Sequence, residues 1–305
     1  MLQQETKVWT IRELMKVSID LLQKKGFDET RLNVELLLAH ALRCQRIQLY
    51  TNFDKPLSRE EIGQFRRLFE RRLNREPLQY IIGSAGFMGL QFRVDQRVLI
   101  PRPETETLVE QVMLLCSNAP PEKTLSVLEI GTGSGNIAVS LAKFVRNIRI
   151  TSIDISAQAM EVAELNAKVH EVSDRLDFRV LDVFEPVDQL LLKRFDLLVS
   201  NPPYGSQEEW EQFQQEIKKY EPRNATTDGR DGYEFFRRMS ELAPYLLSDG
   251  GTVAFEVGFS QADRVRRLLS EAGFFNIYVV PDLQNIPRVV IGSTHSTTRN
   301  PGPVN

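Results

Sequence analysis

Cysteine and histidine are scarce in this sequence. Its 305 residues include two cysteines, Cys44 and Cys116, and three histidines. Two cysteines cannot build a disulfide framework, and the spacing of the cysteines and histidines does not match the ligand patterns of structural zinc sites. We therefore expect no bound metal and a mechanism that does not depend on a histidine-based triad.

Long apolar runs and a leader pattern are missing as well. No segment approaches the roughly 20 consecutive apolar residues of a membrane span. The first residues, MLQQETKVWT, lack the basic-then-apolar layout of a signal peptide. We expect a cytoplasmic protein with no membrane partner.

Charge of either sign is spread rather than concentrated. The net charge is −3, and residues 1–77 hold 15 Lys and Arg against 11 Asp and Glu, which gives this part +4 and the remainder −7. Nucleic-acid binding usually needs a stronger basic patch than this. We therefore expect no direct nucleic-acid partner.

Helical patterns fill the first 75 residues. Thr10 with Glu13, and Ser58 with Glu61, fit the capping-box pattern that begins a helix. Apolar residues then recur with helical spacing, as in Ile11, Leu14, Met15, Leu21 and Leu22. The pattern predicts a small all-helical domain over residues 1–75.

The pattern changes between residues 76 and 102. The run QYIIG (79–83) is followed by Gly86 and Gly89, and then by the alternating run LQFRV (90–94). Two apolar runs separated by a glycine-rich stretch favour a β-hairpin. We interpret residues 76–102 as a hairpin linker to the next domain.

Strand and helix patterns alternate over residues 103–292. The predicted strands are Val127–Ile130, Arg149–Ile153, Asp177–Leu181, Phe195–Ser200, Thr252–Glu256, Asn276–Val280 and Arg288–Gly292, with helices around 105–116, 136–145, 157–170, 232–247 and 260–272. Such alternation predicts an α/β fold with a mostly parallel sheet covered by helices on both faces. The polar, Pro- and Gly-containing tail of residues 293–305 is predicted to be disordered.

A glycine-rich turn follows the first predicted strand of this sheet. The sequence LEIGTGSG places Gly131, Gly133 and Gly135 where the backbone can approach a ligand closely. A dinucleotide fingerprint needs G-x-G-x-x-G, and this turn is one residue short. A compact turn preceded by an acidic residue, here Glu129, suits an adenosine that carries an amino acid. A tight structural turn with no ligand is the alternative.

Acidic residues also follow the next two predicted strands. Asp154 lies where a carboxylate would accept hydrogen bonds from two ribose hydroxyls. Asp182 could accept a hydrogen bond from an adenine amino group, with Val183 packed near the ring. The alternatives are a helix N-cap for Asp154 and a solvated loop carboxylate for Asp182.

The fourth predicted strand ends in the tetrapeptide Asn201-Pro202-Pro203-Tyr204. Prolines stiffen the loop and keep the preceding residue extended. The Asn201 side-chain oxygen and the Pro202 carbonyl are fixed acceptors that could bind both hydrogens of an NH₂ group. They would align this weak nucleophile toward a methyl donor, and the Tyr204 ring could stack on the acceptor and favour a cationic donor.

These motifs resemble a known enzyme family. EIGTGSG combined with NPPY is similar to amino-methyltransferases that use S-adenosylmethionine. Four longer segments resemble the bacterial release factor glutamine methyltransferases, the HemK/PrmC family, over roughly residues 76–292: EPLQYIIGSAGFMGLQFRVDQRVLIPRPETETLVE (76–110), YEPRNATTDGRDGYEFFRR (220–238), GGTVAFEVGFSQADRV (250–265) and DLQNIPRVV (282–290). Glu129 stands where the family more often has aspartate.

The resemblance implies a Rossmann-like class I methyltransferase sheet and a specific reaction. Such enzymes transfer a methyl group from S-adenosylmethionine to the N5 amide of the glutamine in the Gly-Gly-Gln motif of class-one peptide chain release factors, leaving S-adenosylhomocysteine. The matching cofactor-binding residues are Glu129, Gly131, Thr132, Gly133, Ser134, Gly135, Asp154, Asp182, Val183 and Asn201. The matching catalytic residues are Asn201, Pro202 and Tyr204, and Pro203 joins them in substrate binding. The helical domain would dock the release factor, and we expect a monomer.

Three other functions stay open at this point. A related enzyme methylates a glutamine of a ribosomal large-subunit protein, and a DNA adenine methyltransferase would use the same tetrapeptide on a flipped base. The second of these should carry a basic target-recognition region, which this charge distribution does not provide. A non-catalytic binding module is disfavoured by the intact NPPY and glycine turn.

Overall fold

The computed structural model describes residues 8–186 and 194–294. The chain divides into two compact units, with the boundary between Gly83 and Ser84. Each unit has hydrophobic core residues of its own. Two sequence predictions fall partly outside the described ranges, namely the missing leader pattern of residues 1–10 and the disordered tail of residues 293–305.

The first unit is helical. Both predicted capping boxes are formed, by Thr10 with Glu13 and by Ser58 with Glu61. Its core includes Leu22, Leu37, Leu38 and Leu49, all fully buried. The helices are α1 (Ile11–Lys24), α2 (Thr30–Leu42), α3 (Arg46–Thr51), α4 (Arg59–Leu73) and α5 (Leu78–Ile82).

This helical unit continues beyond residue 75. Arg71 Nη2 forms an ion pair with Glu76 Oε1 at 2.6 Å, and Arg72 Nη1 donates to the Glu76 carbonyl at 2.9 Å. These contacts hold the chain after α4 against that helix. Tyr80 and Ile81 are then buried, so the segment up to Gly83 belongs with the helices.

The β-hairpin is shorter than the sequence suggested. The run QYIIG is not a strand, because Pro77 precedes a helical turn over Leu78–Ile82 that Gly83 ends with φ +80°. Strands β1 (Ser84–Phe87) and β2 (Leu90–Arg93) form the hairpin instead, in antiparallel register. Their two-residue turn, Met88-Gly89, has positive φ at both positions, as tight hairpin turns require.

A seven-stranded sheet forms the centre of the second unit, in the order β5-β4-β3-β6-β7-β9-β8. The strands are β3 (Leu125–Ile130), β4 (Ile148–Asp154), β5 (Leu176–Val180), β6 (Phe195–Ser200), β7 (Leu247–Glu256), β8 (Phe275–Pro281) and β9 (Pro287–Ser293). The first five run parallel, and β9 pairs antiparallel with both β7 and β8. The strand order reverses between β3 and β6, which places the ends of these two strands side by side.

Helices cover both faces of this sheet. Together with the sheet, α6, α7 and the hairpin build one buried apolar cluster, while α11 and α12 build the cluster on the opposite face. The predicted Rossmann-like α/β fold with a helical N-terminal domain is confirmed. The helices are α6 (Glu104–Ser117), α7 (Asn136–Phe144), α8 (Ala157–Val169), α9 (Gln207–Gln212), α10 (Gln215–Tyr220), α11 (Glu234–Leu246) and α12 (Ala262–Glu271).

The helices are ordinary in length and composition. Within residues 8–186 and 194–294, none is long and apolar enough to cross a membrane. The same residues contain no group of three or more His, Cys, Asp or Glu side chains arranged to hold a metal ion.

Candidate active site

A cavity of about 660 Å³ opens at the carboxyl ends of β3 and β6. Ligands in open α/β sheets bind at this position, where the strand order reverses. Most of the residues predicted from sequence line it: Gly131, Thr132, Gly133, Ser134, Asp154, Asp182, Val183, Asn201, Pro202 and Pro203. Glu129, Gly135 and Tyr204 are not among the lining residues.

The glycine turn forms one wall of the cavity. Gly131 and Gly133 have φ of +87° and +53°, a region in which a side chain would be strained. Gly135 also has a positive φ, +78°, and in addition a Cβ there would lie 3.0 Å from the Cβ of Ala163 on α8. The first two glycines therefore shape the wall, and the third lets the start of α7 pack against α8.

Asp154 connects the end of β4 to this turn. Its Oδ2 accepts from Gly133 N–H at 3.0 Å, and its Oδ1 accepts from Ser156 N–H at 2.9 Å. Burial raises the pKa of Asp154, and these backbone donors oppose the shift. A carboxylate has further lone pairs, so Asp154 can still accept hydrogen bonds from a ligand in the cavity.

Glu129 lies under the turn, with an exposed fraction of only 1%. Its Oε2 accepts from the Ser152 hydroxyl, which is 2.6 Å from the Thr132 hydroxyl. Burial raises the pKa of Glu129 to about 8. The structure thus places this carboxyl where it supports the glycine turn from below and not on the cavity wall.

Asp182 and Val183 contribute a third part of the wall. Asp182 Oδ1 accepts from Phe184 N–H at 2.9 Å, which closes a tight turn after β5. The Phe184 ring packs edge-on against Phe235 at 5.1 Å between centroids. Arg238 Nε donates to the Val183 carbonyl at 2.9 Å, so an aromatic and apolar patch is fixed beside an acidic group.

The NPPY loop faces the glycine turn. Ser200 donates its hydroxyl to the Ile130 carbonyl at 2.7 Å, which ties the ends of β6 and β3 together. Asn201 Nδ2 donates to Thr105 Oγ1 at 3.0 Å. Asn201, Pro202 and Pro203 then line the cavity, so an amide oxygen and backbone carbonyls are available close to the turn.

Tyr204 is not among the residues that line the cavity. Its ring packs against the apolar cluster that contains α11 and α12, close to Gly258. Its hydroxyl donates to Glu256 Oε1 at 3.2 Å, and burial raises the pKa of this hydroxyl above its ordinary value. The structure thus places Tyr204 where it supports the NPPY loop from behind.

Several site residues were not found by sequence reasoning. Glu221 is buried, and its two oxygens accept from Arg102 Nη2 at 2.6 Å and from Ile100 N–H at 3.3 Å. This joins the segment before α6 to the loop after α10, and both line the cavity. Thr105 lines the cavity and accepts from Asn201 Nδ2, while Glu256 accepts from the Tyr204 hydroxyl. All of these lie in segments quoted above for the family likeness, but no periodicity or spacing singled them out.

Comparison with known proteins identifies the family. The model of the PrmC N-terminal domain matches residues 13–83, and that of the methyltransferase small domain matches residues 110–229. Release factor glutamine methyltransferase from Chlorobaculum tepidum is 42% identical over 93% of this chain and 97% of its own. The chain belongs to the release factor glutamine methyltransferase family. The resemblance predicted from the sequence is thereby confirmed, and the protein is a methyltransferase.

A second relative supports this assignment, and one solved structure is also similar to this chain. The enzyme of the same name from Geobacter sulfurreducens is 40% identical over 95% of this chain and 98% of its own. The crystal structure of a release factor-specific protein-(glutamine-N5) methyltransferase from Alicyclobacillus acidocaldarius is 32% identical. The matched region covers 66% of the present chain and 98% of the Alicyclobacillus chain, with a TM-score of 0.41. The family relationship therefore extends over nearly the whole length of its curated members.

Proposed function

We propose that this enzyme transfers the methyl group of S-adenosylmethionine to the N5 amide of the glutamine in the Gly-Gly-Gln motif of class-one peptide chain release factors. The observation that carries this is the placement of Asn201 and Pro202 on the cavity wall next to the glycine turn. The names of its relatives support the same substrate.

The residues that line the cavity support S-adenosylmethionine as the methyl donor. The backbone of residues 131–134 would lie along the methionine part, and Asp154 would accept from the ribose hydroxyls. Asp182 would accept from the adenine amino group, while Val183 packs against the ring. The fit rests on Asp154, which lines the cavity and retains acceptor capacity after its two backbone contacts. Glu129 and Gly135 would act indirectly, by holding the turn in shape.

The NPPY loop would hold the glutamine amide. Asn201 Oδ1 and the Pro202 carbonyl would each accept one hydrogen of the NH₂ group. The bound S-adenosylmethionine supplies an electrophilic methyl group and a sulfur leaving group. The amide nitrogen would form a bond to that methyl carbon as the carbon–sulfur bond breaks, and one amide proton would pass to solvent. Two fixed acceptors help because they align the NH₂ group and offset its developing positive charge.

The helical unit would bind the body of the release factor. This part of the proposal comes from the family resemblance, and the match of residues 13–83 to the PrmC N-terminal domain supports it. Since release factors act in translation, the enzyme would work in the cytoplasm, and we expect a monomer to suffice.

The decisive experiment offers a labelled methyl donor and a choice of acceptors. The protein is incubated with labelled S-adenosylmethionine and, separately, with a release factor, ribosomal proteins and DNA. We expect label on the release factor, at the glutamine of the Gly-Gly-Gln motif by peptide mass spectrometry. A release factor with alanine at that glutamine is the matched control and should stay unlabelled. Label on ribosomal protein or DNA, with none on the release factor, would overturn the proposal.

A further inference from the structure

Gln261 joins the NPPY loop to two other loops. It is the residue just before α12, and only 7% of it is exposed. Its Nε2 donates to the Tyr204 carbonyl at 2.9 Å and to the Gly232 carbonyl at 3.1 Å. Its Oε1 accepts from Gly258 N–H at 2.9 Å. One buried amide thus connects the NPPY loop, the loop before α11 and the loop after β7.

These three contacts fix which way round the Gln261 amide lies. Its NH₂ group has two hydrogens, and each is directed at a carbonyl oxygen, which can only accept. Its oxygen faces a backbone N–H, which can only donate. A reversed amide would place its oxygen against two carbonyls and its NH₂ group against an N–H. Only the observed orientation therefore satisfies all three partners.

The loops approach each other closely around Gln261. A Cβ on Gly232 would lie 2.5 Å from the Tyr204 carbonyl oxygen and 2.9 Å from Gln261 Nε2. A Cβ on Gly258 would lie 3.2 Å from the Tyr204 ring. The two glycines therefore leave the space in which Gln261 reaches the Tyr204 carbonyl.

Gln261 holds one end of the NPPY loop, and Ser200 holds the other. The Ser200 hydroxyl is tied to the end of β3 at 2.7 Å, while the Tyr204 carbonyl is tied to Gln261. Between these ends, two consecutive prolines have a fixed φ. Because the loop is short and stiff, the directions of the Asn201 side chain and the Pro202 carbonyl depend on both attachments.

We propose that Gln261 is a positioning residue for methyl transfer, which sets the NPPY loop so that its two acceptors face the NH₂ group of the substrate. Gln261 is not among the residues that line the cavity, so it acts through the Tyr204 carbonyl. This inference rests on the proposed function, in which Asn201 Oδ1 and the Pro202 carbonyl hold that NH₂ group.

The test compares two substitutions of Gln261 in single-turnover methyl transfer to release factor, with S-adenosylmethionine and release factor both saturating. Gln261→Met keeps the length of the side chain but removes all three hydrogen bonds. We expect transfer to slow on the order of 10- to 100-fold, since small displacements of aligning groups have effects of this size. Gln261→Glu can still accept from Gly258 N–H but has at most one hydrogen for two carbonyls, so its rate should also fall. A wild-type rate for either variant overturns the inference.

Two controls separate positioning from general damage. Gln284→Met makes the same chemical change at an exposed position between β8 and β9, and it should leave the rate unchanged. The cofactor affinity of Gln261→Met, measured by calorimetry, should stay near that of wild type. Rates are compared well below the unfolding temperature of each variant. Equal losses of cofactor affinity and transfer rate would indicate general damage and contradict a positioning role.

A double-mutant cycle tests whether Gln261 acts through the acceptors of the NPPY loop. In an Asn201→Ala background, the slowing caused by Gln261→Met should be at least about 3-fold smaller than in wild type, because one of the two groups that it positions is gone. Its effect on the unfolding temperature should be the same in both backgrounds. Equal slowing in both backgrounds would show a merely structural role and refute the proposal. If the wild-type enzyme labels a different acceptor, the proposed function fails, while the same cycle measured on that acceptor still decides the role of Gln261.

Discussion

Asn201→Ala is the substitution that most directly tests the proposed chemistry. It removes the Oδ1 acceptor from the cavity wall and also the Nδ2 donor that contacts Thr105 at 3.0 Å. Loss of one preorganised group that acts in the transition state lowers the rate by about 10²–10³, which corresponds to about 2.7–4 kcal/mol. We expect a decrease of this size in the single-turnover rate of methyl transfer to release factor.

The effect on folding should be much smaller. Thr105 Oγ1 would lose one neutral hydrogen bond, which destabilises a protein by about 1 kcal/mol. The loop itself is held by its two prolines and by the Ser200 contact to the Ile130 carbonyl. Cofactor affinity by calorimetry and unfolding in urea should therefore change little while the transfer rate falls.

Asn201→Asp provides the matched comparison. The carboxylate can still accept from the NH₂ group, but it cannot donate to Thr105, so we expect activity between that of wild type and Asn201→Ala. Near-normal transfer by Asn201→Ala would refute the mechanism. So would an equal loss of rate and cofactor affinity, since that would indicate a binding role only.

Three further predictions concern the cofactor, the helical unit and the buried carboxyl under the turn. Asp154→Ala should weaken S-adenosylmethionine binding by about 1.5–3 kcal/mol, and unchanged affinity by calorimetry would remove Asp154 from the site. A chain of residues 84–305, which lacks the helical unit, should bind the cofactor normally. Its kcat/KM for full-length release factor should fall at least about tenfold. An undiminished kcat/KM would mean that the helical unit has another purpose. Burial raises the pKa of Glu129 from 4.5 to about 8. Between these two pH values the folded protein keeps a proton that the unfolded chain releases. The free energy of unfolding should therefore fall as the pH rises from about 4.5 to about 8. Glu129→Gln should make the fall in urea-measured stability shallower, and parallel pH profiles for the two proteins would contradict the assignment.

Local features of the sequence were sufficient for most of the fold. The capping boxes at Thr10 and Ser58 depend on side chains three residues apart, so they can be read without tertiary contacts. Strand and helix periods alternate clearly over residues 125–293, and each predicted strand is found there. The glycine turn and NPPY loop were recognisable because glycine permits positive φ and proline fixes φ wherever they occur.

Short apolar runs were harder to interpret. QYIIG has the composition of a strand, but most of it lies in the short helix Leu78–Ile82, which ends at Gly83 just before the hairpin. Five residues do not distinguish a strand period from a helix period. The packing of Ile81 in the core of the helical unit, with Leu78 and Ile82 against it, favours the helix.

Most of the site residues that the sequence by itself was sufficient to predict line the cavity, and the tertiary structure decided how they face. The strand order brings the ends of β3, β6 and β7 together, so Asn201 contacts Thr105, which is 96 residues earlier in the chain. In the same packing, Glu129 and Tyr204 are not among the residues that line the cavity, so their predicted contacts with a ligand stay predictions. Burial and hydrogen-bond direction are properties of the packed protein, and no spacing in the sequence specifies them. The hydrogen bond from Asn201 Nδ2 to Thr105 Oγ1 is therefore a contact that only the fold provides.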